Sequence, residues 1–187
     1  MSRLGPSINH PVIINTIQSN LTLVSNDLIT LLKEHFQGSI GGSIDYNSCL
    51  RMFPNGRNSL LTAEDNVRRL QRAGISVGLV CTLTKQNTTD PRALYEYYKR
   101  LGTSFRVNRA AGVSACGDEY LSVTEYSHIV KQIFDVYLSD PSPTIEFTNF
   151  TMMVRLYLAG MPVICVDPLK PHLFLGIEAQ GRIILIP

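Results

Sequence analysis

The sequence contains no tryptophan, few charged side chains and no closely spaced cysteines. Charged residues make up 17% of the 187 residues, and the formal net charge is only +2, which argues against the strongly basic surface of a nucleic-acid-binding protein. No apolar run approaches the roughly 20 residues of a transmembrane helix, and no basic segment followed by an apolar one stands at the N-terminus. With 44% hydrophobic residues, the composition is typical of a folded domain, and we expect a cytoplasmic protein without membrane partners.

The four cysteines, Cys49, Cys81, Cys116 and Cys165, are far apart in the sequence. They form no CxxC pair and no compact zinc pattern, which argues against a disulfide framework and against a zinc finger. We therefore predict reduced thiols and no metal site built from this chain.

Short β-rich runs alternate along the chain with longer amphipathic patterns. Typical helix starts occur at Ser25, at Asp90-Pro91 and at the capping box Ser122–Glu125. Thr62 is the predicted cap of another helix, and Pro54-Asn55-Gly56 predicts a turn. The predicted strands are 12–17, 38–44, 75–83, 104–108, 144–147 and 162–166; the predicted helices are 28–36, 62–73, 91–101, 122–138 and 150–158; a hairpin is predicted for 176–186, turning at Gln180-Gly181.

The repeated β-α order predicts an α/β fold with a parallel sheet, either an open doubly wound layer or an arc of a (β/α) barrel. A closed eight-unit barrel typically needs about 250 residues, and this chain has 187, which favours a partial barrel. The continuous Ile, Val and Leu character of 75–83 further predicts a strand that is covered on both faces.

Ligands of parallel α/β proteins bind at the carboxyl ends of the strands, which singles out the polar residues there. Those residues are Gln18-Ser19-Asn20, Ser43-Ile44-Asp45, Thr82 to Lys85, and Asn108-Arg109. They include no histidine, cysteine or paired carboxylate, so no nucleophilic triad and no hydrolytic metal site is indicated, and no residue is assigned a catalytic role. The pattern predicts a rim that holds a polar small molecule or a backbone.

The order of these motifs resembles the radical S-adenosylmethionine (SAM) enzymes, and within them the SPASM subgroup of anaerobic sulfatase-maturating enzymes and peptide maturases. The likeness extends over about residues 12 to 165. The matching residues are Gln18-Ser19-Asn20, Ser43-Ile44-Asp45, Arg51, Gly56, Thr84, Asn87, Tyr98, Leu101-Gly102, Asn108, Leu121-Ser122 and Glu125-Tyr126.

The resemblance implies a partial radical-SAM-like barrel over residues 1–162 and the start of a SPASM-like hairpin region over 163–187. It implies SAM and a [4Fe–4S] cluster as cofactors, and a 5′-deoxyadenosyl radical that modifies a side chain of a peptide or protein substrate. Ser43 and Arg51 would meet the SAM carboxylate and Asn108 would line the SAM pocket. Asp45 would either fix the turn after its strand or contact the ligand.

The sequence also departs from this family. It lacks the CxxxCxxC loop that holds the cluster and the Gly-Gly-Glu segment that receives the SAM amino group, and Tyr46 replaces the glycine of SxDG. Cys165 precedes a glycine-containing hairpin, but no further cysteine follows it. We therefore expect a truncated or degenerate member whose cluster ligands are not in this chain.

Two other hypotheses remain open at this point. One is a non-catalytic partial barrel that binds a peptide, or a partner chain that completes the barrel, because exposed sheet edges tend to pair. The other, weaker one is an aldolase-like barrel fragment with Lys85 as a Schiff-base lysine.

Overall fold

The computed structural model describes residues 15–47, 51–110, 120–159, 174–177 and 183–186. Its main element is a four-stranded sheet in which all neighbouring strands are parallel. The strands follow one another in the order β1-β2-β3-β4, whereas a doubly wound sheet reverses its order at a switch point. The predicted parallel α/β architecture is confirmed, and the sheet is an arc of a (β/α) barrel. Its strands are β1 Gln18–Ser19, β2 Ser39–Ser43, β3 Ser76–Leu83 and β4 Ser104–Arg109.

The described residues include five helices: α1 Asn26–His35, α2 Leu60–Arg72, α3 Pro91–Leu101, α4 Val123–Ser139 and α5 Thr148–Ala159. Three of the predicted caps are confirmed. The side chains of Ser25 and Asp90 accept from backbone N–H groups in the first turns of α1 and α3, and Ser122 opens α4 with both bonds of a capping box. These bonds satisfy backbone donors that have no partner inside the helix.

The predicted cap of α2 at Thr62 is wrong by three residues, because Ser59 occupies the N-cap position. The helix begins at Leu60, because the Asn58 side-chain oxygen accepts a 2.7 Å hydrogen bond from the Leu60 N–H. Asn58 itself is held in an antiparallel bridge with Met52, which closes a loop around the predicted turn. The loop contact therefore decides where the helix starts.

One face of the sheet packs against helices, and aromatic rings form the centre of that core. Phe105 of β4 stacks on Tyr98 of α3 at 4.4 Å between ring centroids and on Phe147 at 5.1 Å. All three rings are buried, and the Tyr98 hydroxyl donates a 2.6 Å hydrogen bond to the carbonyl of Ile44. The phenol thus joins α3 to the carboxyl end of β2.

The prediction that residues 75–83 are covered on both faces is wrong. Burial alternates along β3: Val77, Leu79 and Cys81 are buried, whereas Ser76 and Gly78 between them are exposed. The continuous apolar run hides this alternation because Val80, on the face away from the helices, is also aliphatic. Glycine, serine and threonine occupy the other positions of that face.

The C-terminal end of α4 is fixed to α3 by Asp140. Its Oδ2 accepts from the Tyr95 hydroxyl and the Lys99 Nζ, both at 2.6 Å. The bond from Lys99, and after it the bond from Tyr95, lower the pKa of the Asp140 carboxyl to about 2. The same contact raises the pKa of the Tyr95 phenol, adding to the effect of burial.

The predicted fifth strand at 144–147 is reduced to a single parallel bridge between Phe105 and Phe147. The Phe105 N–H donates to the Glu146 carbonyl at 3.0 Å, so the segment lies beside β4 without forming a longer ladder. The first predicted strand falls mostly outside the described residues, and the observed β1 comes directly after its predicted end. The predicted strand at 162–166 lies outside the described residues.

The chain divides into two compact units, Met1–Thr148 and Asn149–Pro187. Within the second unit, β5 Phe174–Ile177 and β6 Ile183–Ile186 pair antiparallel, as expected for the predicted hairpin, whose turn lies outside the described residues. The domain boundary after residue 162 also lies outside them and stays a prediction. Within the described ranges, no helix is long and apolar enough to span a bilayer.

Candidate functional site

The face of the sheet opposite the helix-packed core carries small and polar side chains, and we call it the open face. Strand alternation and register define it. Ser43, Val80 and Arg106 are paired across β2, β3 and β4 in one row, and the next row toward the carboxyl ends contains Thr82 and Asn108. The open-face residues of the four strands are Gln18, Ser39, Gly41, Ser43, Ser76, Gly78, Val80, Thr82, Ser104, Arg106 and Asn108.

Two glycines on the open face, Gly41 and Gly78, have no side chain to cover the backbone of the sheet. A Cβ added to Gly41 would lie 2.9 Å from the Cγ of Gln18, so the glutamine of β1 lies flat against the glycine of β2. A Cβ at Gly78 would meet nothing within 4 Å. The open face therefore has unoccupied space above the backbone at Gly78.

Asp45 lies just beyond the end of β2, and both of its carboxylate oxygens have partners. Oδ1 accepts the Thr82 N–H of β3 at 2.7 Å, and Oδ2 accepts the Arg51 Nε–H. The Asp45 side chain is 7% exposed and that of Arg51 is 34% exposed. The Asp45 carboxylate thus joins the end of β2 to β3 and to the following loop. These contacts correspond to one of its two predicted roles, which is to fix the turn after the strand.

Arg51 lies in the loop between β2 and α2. Its side chain lines a cavity at the carboxyl ends of β1 and β2. Its carbonyl accepts from the backbone N–H and the hydroxyl of Ser59, which ties the loop to the start of α2. The cavity has a volume of about 340 Å³, at the lower end of small-molecule sites. Its lining residues are Asn20, Thr22, Ser43, Ile44, Arg51, Met52, Phe53, Pro54, Ser59, Leu60 and Ala63.

The turn after β1 places Asn20 and Thr22 at this cavity. The Asn20 side-chain oxygen accepts from the N–H and the hydroxyl of Thr22, at 3.1 and 2.8 Å. Leu21 between them has a φ of +59° and is completely buried. A left-handed conformation is unfavourable for leucine, so the turn is fixed by its burial and by the hydrogen bond that Asn66 donates to its carbonyl at 2.8 Å.

The end of β3 is fixed by a second buried polar side chain, Asn87. Its Oδ1 accepts from the Thr84 N–H and its Nδ2 donates to the Thr82 carbonyl, both at 2.9 Å. The Thr84 hydroxyl is buried nearby and has no hydrogen-bond partner within the described part of the chain. Asp45 and Asn87 thus hold the carboxyl end of β3 from both sides.

The structure brings together three of the four site residues that the sequence predicts. Ser43 and Arg51 line the cavity, and Asp45 holds Arg51 in place. Asn108 lies on the same open face at the carboxyl end of β4, two strands from the cavity, and is exposed.

Sequence reasoning did not single out two kinds of residue at the site. Phe53 and Pro54 form part of an apolar wall of the cavity. Pro54 belongs to the predicted turn Pro54-Asn55-Gly56, but no local pattern predicts that this turn folds over a cavity. Arg106 is the second kind. Strand alternation was the available signal, since Arg106 precedes Asn108 by two residues and therefore shares its face.

The described residues do not fit a [4Fe–4S] cluster, which needs several thiolates close together. Cys81 is the cysteine within the described ranges; it is buried on the helix-packed face, and burial raises the pKa of its thiol to about 11. Throughout those ranges no three or more His, Cys, Asp or Glu side chains converge on one point. The cavity beside Ser43 does fit an organic ligand with polar groups, since hydroxyl, amide and guanidinium groups line it together with apolar side chains.

Comparison with solved structures shows that this arc has the fold of the radical SAM barrel. The structure "Native anSMEcpe with bound AdoMet" superposes with a TM-score of 0.70 at 18% identity, over 81% of this chain and 44% of that chain. The same enzyme with bound AdoMet and Cp18Cys peptide gives 0.69 at 17% identity, over 81% and 45%. SuiB of Streptococcus suis gives 0.54 at 12% identity, over 71% and 31%.

The expected fold class, a partial (β/α) barrel with parallel strands, is thereby confirmed. The chain spans less than half the length of each of these structures. Comparison with protein-family models and with curated proteins finds no match to the sequence.

Proposed function

We propose that this chain forms the SAM-binding side of a radical-SAM-type barrel that acts on a peptide or protein substrate. The observation that carries the proposal is the cavity at the carboxyl ends of β1 and β2, where Ser43, Asn20 and Arg51 meet. Such ends are where ligands of parallel α/β proteins bind. The fold likeness to structures with bound AdoMet supports the choice of ligand.

Ser43 would hold the SAM carboxylate through its hydroxyl, and the Arg51 guanidinium would add a charge-assisted bond. Asp45 occupies the Arg51 Nε–H, which leaves the terminal nitrogens of the guanidinium for the ligand. Asn20 would supply polar contacts from β1, and Asn108 would line the far side of the pocket. Bound SAM supplies a methionine and an adenosyl group for radical chemistry, and the described residues contribute no cluster ligand to it.

The finer part of the proposal concerns the parent enzyme. We propose a SPASM-type maturase that modifies a peptide side chain, with this chain as a truncated or degenerate member. The strands β5 and β6 would then begin the auxiliary region. Its support is the ordered motif set and the likeness to structures with bound peptides.

Equilibrium binding of SAM to the full chain tests this function. We expect saturable binding by isothermal titration calorimetry, and Ser43→Ala should weaken it by about tenfold to a hundredfold, because it removes one hydrogen bond to a charged group. Ser76→Ala is the matched control: Ser76 lies on the same face, at the amino end of β3, and is exposed. Its replacement should leave the affinity unchanged.

Two results would contradict the proposal. If the folded protein does not bind SAM, or if both serine variants bind it as the wild type does, the cavity is not the SAM site. Binding of peptides without any effect of SAM would instead favour the alternative, a non-catalytic peptide-binding partial barrel.

A further inference from the structure

Arg106 lies in the middle of the open face of the sheet. Its register partner on β3 is Val80, and the partner of Val80 on β2 is Ser43. Neighbouring strands are about 4.8 Å apart, so the Cα atoms of Arg106 and Ser43 are about 10 Å apart. Arg106 is half-buried, so part of its side chain is already removed from water.

This guanidinium forms no hydrogen bond or ion pair with the described residues. The other half-buried arginines of the described residues are engaged: Arg51 with Asp45, and Arg69 with the carbonyl of Val24. The side chains of Arg57, Arg92 and Arg100 also have no described partner, but they are exposed. Glu146 lies beside Ser104 in the preceding row, since its N–H donates to the Ser104 side chain at 3.0 Å. In the described part of the chain, no ion pair joins Glu146 to Arg106.

The surroundings of Arg106 indicate the kind of ligand that it would meet. Arg106 does not line the cavity beside Ser43, so a SAM molecule in that cavity leaves it available to a second ligand. Thr82 adds a neutral hydroxyl group in the next row, and Gly78 leaves open space on the sheet surface. A guanidinium without a partner among the described residues, carried by a half-buried arginine, suits a planar anion, because its N–H groups match a carboxylate in a bidentate arrangement.

We infer that Arg106 is a specificity-determining residue that binds an acidic side chain of the substrate peptide. This inference rests on the proposed function, because it assigns the cavity and Asn108 to SAM and the part of the open face around Arg106 to the substrate. The substrate class is then a peptide with aspartate or glutamate beside the residue that is modified.

Nuclear magnetic resonance of the ¹⁵N-labelled full chain tests the inference. The signal to follow is the Nε–Hε signal of Arg106, which is assigned as the one that disappears in the Arg106→Lys variant. The probe is N-acetylglutamate N-methylamide, and the matched probe is the glutamine derivative. We expect the glutamate derivative to shift the Arg106 signal saturably, with an affinity at least about tenfold higher than that of the glutamine derivative. Arg100, which is exposed on α3, is the internal control and should not respond in this way.

Equal responses to the two probes, or equal responses of Arg106 and Arg100, would overturn the inference. A larger shift with inorganic phosphate than with the glutamate derivative would also overturn it, because the site would then be a phosphate site. A parallel titration with SAM, followed at the amide of Ser43, reports on the proposed function separately. Absence of that shift refutes the SAM site, whereas the Arg106 signal alone decides whether a carboxylate binds on the open face.

Discussion

The buried contact between Asp45 and Arg51 makes a quantitative prediction for Asp45→Asn. The asparagine keeps an oxygen for the Thr82 N–H, but its NH₂ group then faces the Arg51 Nε–H, donor against donor. Breaking a fully buried ion pair costs about 3–5 kcal/mol, and a charge-assisted hydrogen bond contributes about 1.5–3 kcal/mol. Because the Arg51 side chain is 34% exposed, solvent reduces the effect, and we expect a loss of about 2 kcal/mol in the free energy of unfolding.

Urea unfolding followed by circular dichroism measures this loss, since the protein has no tryptophan to report by fluorescence. Asp65→Asn is the matched control. Asp65 is 78% exposed and pairs with Arg68 on the surface of α2, so its replacement should cost less than about 0.5 kcal/mol. Adding Arg51→Gln to Asp45→Asn should cost less than the sum of the two single changes, because both remove the same bond. Equal costs for Asp45→Asn and Asp65→Asn, or strict additivity of the pair, would refute this account.

Three further predictions concern packing and titration. Gly42→Ala should destabilise the protein by about 1–3 kcal/mol, because its Cβ would stand 2.3 Å from the Cδ1 of Leu21, whereas Gly78→Ala has open space and should change the unfolding free energy little. The pKa of Asp140 is lowered from 3.8 to about 2 in the folded state, so this carboxylate contributes stability above pH 4 that is lost as the pH falls toward 2. In the Asp140→Asn variant, the melting temperature should therefore depend less on pH between 4 and 2. An unchanged pH dependence would contradict the assignment. Burial raises the pKa of the Cys81 thiol to about 11, so peptide mass spectrometry should find Cys81 alkylated only after unfolding, and modification in the native protein at neutral pH would be inconsistent with its position.

Much of the local structure follows from residues that are close in sequence. Ser25, Asp90 and the Ser122–Glu125 capping box start three helices where the pattern predicts, because each satisfies backbone N–H groups within one turn. The alternation of strands and helices in short units leads to a parallel sheet, because a helix that connects two strands returns the chain to the end where the next parallel strand begins. The polar residues at the strand ends were identified for the same reason, since parallel strands bring those ends to one edge.

Contacts between distant residues decided the rest. Asn58 and Met52 set the first residue of α2, and no local signal at Thr62 could reveal that bridge. The apolar run of β3 did not show which face is covered, because the decisive partners are helices far away in the sequence. The engagement of Arg51 by Asp45, and the lack of a described partner for Arg106, likewise depend on which side chains meet across the sheet. The chain's own chemistry therefore specifies the elements and their order, while packing across the sheet determines which polar groups are already paired and which are left to bind a ligand.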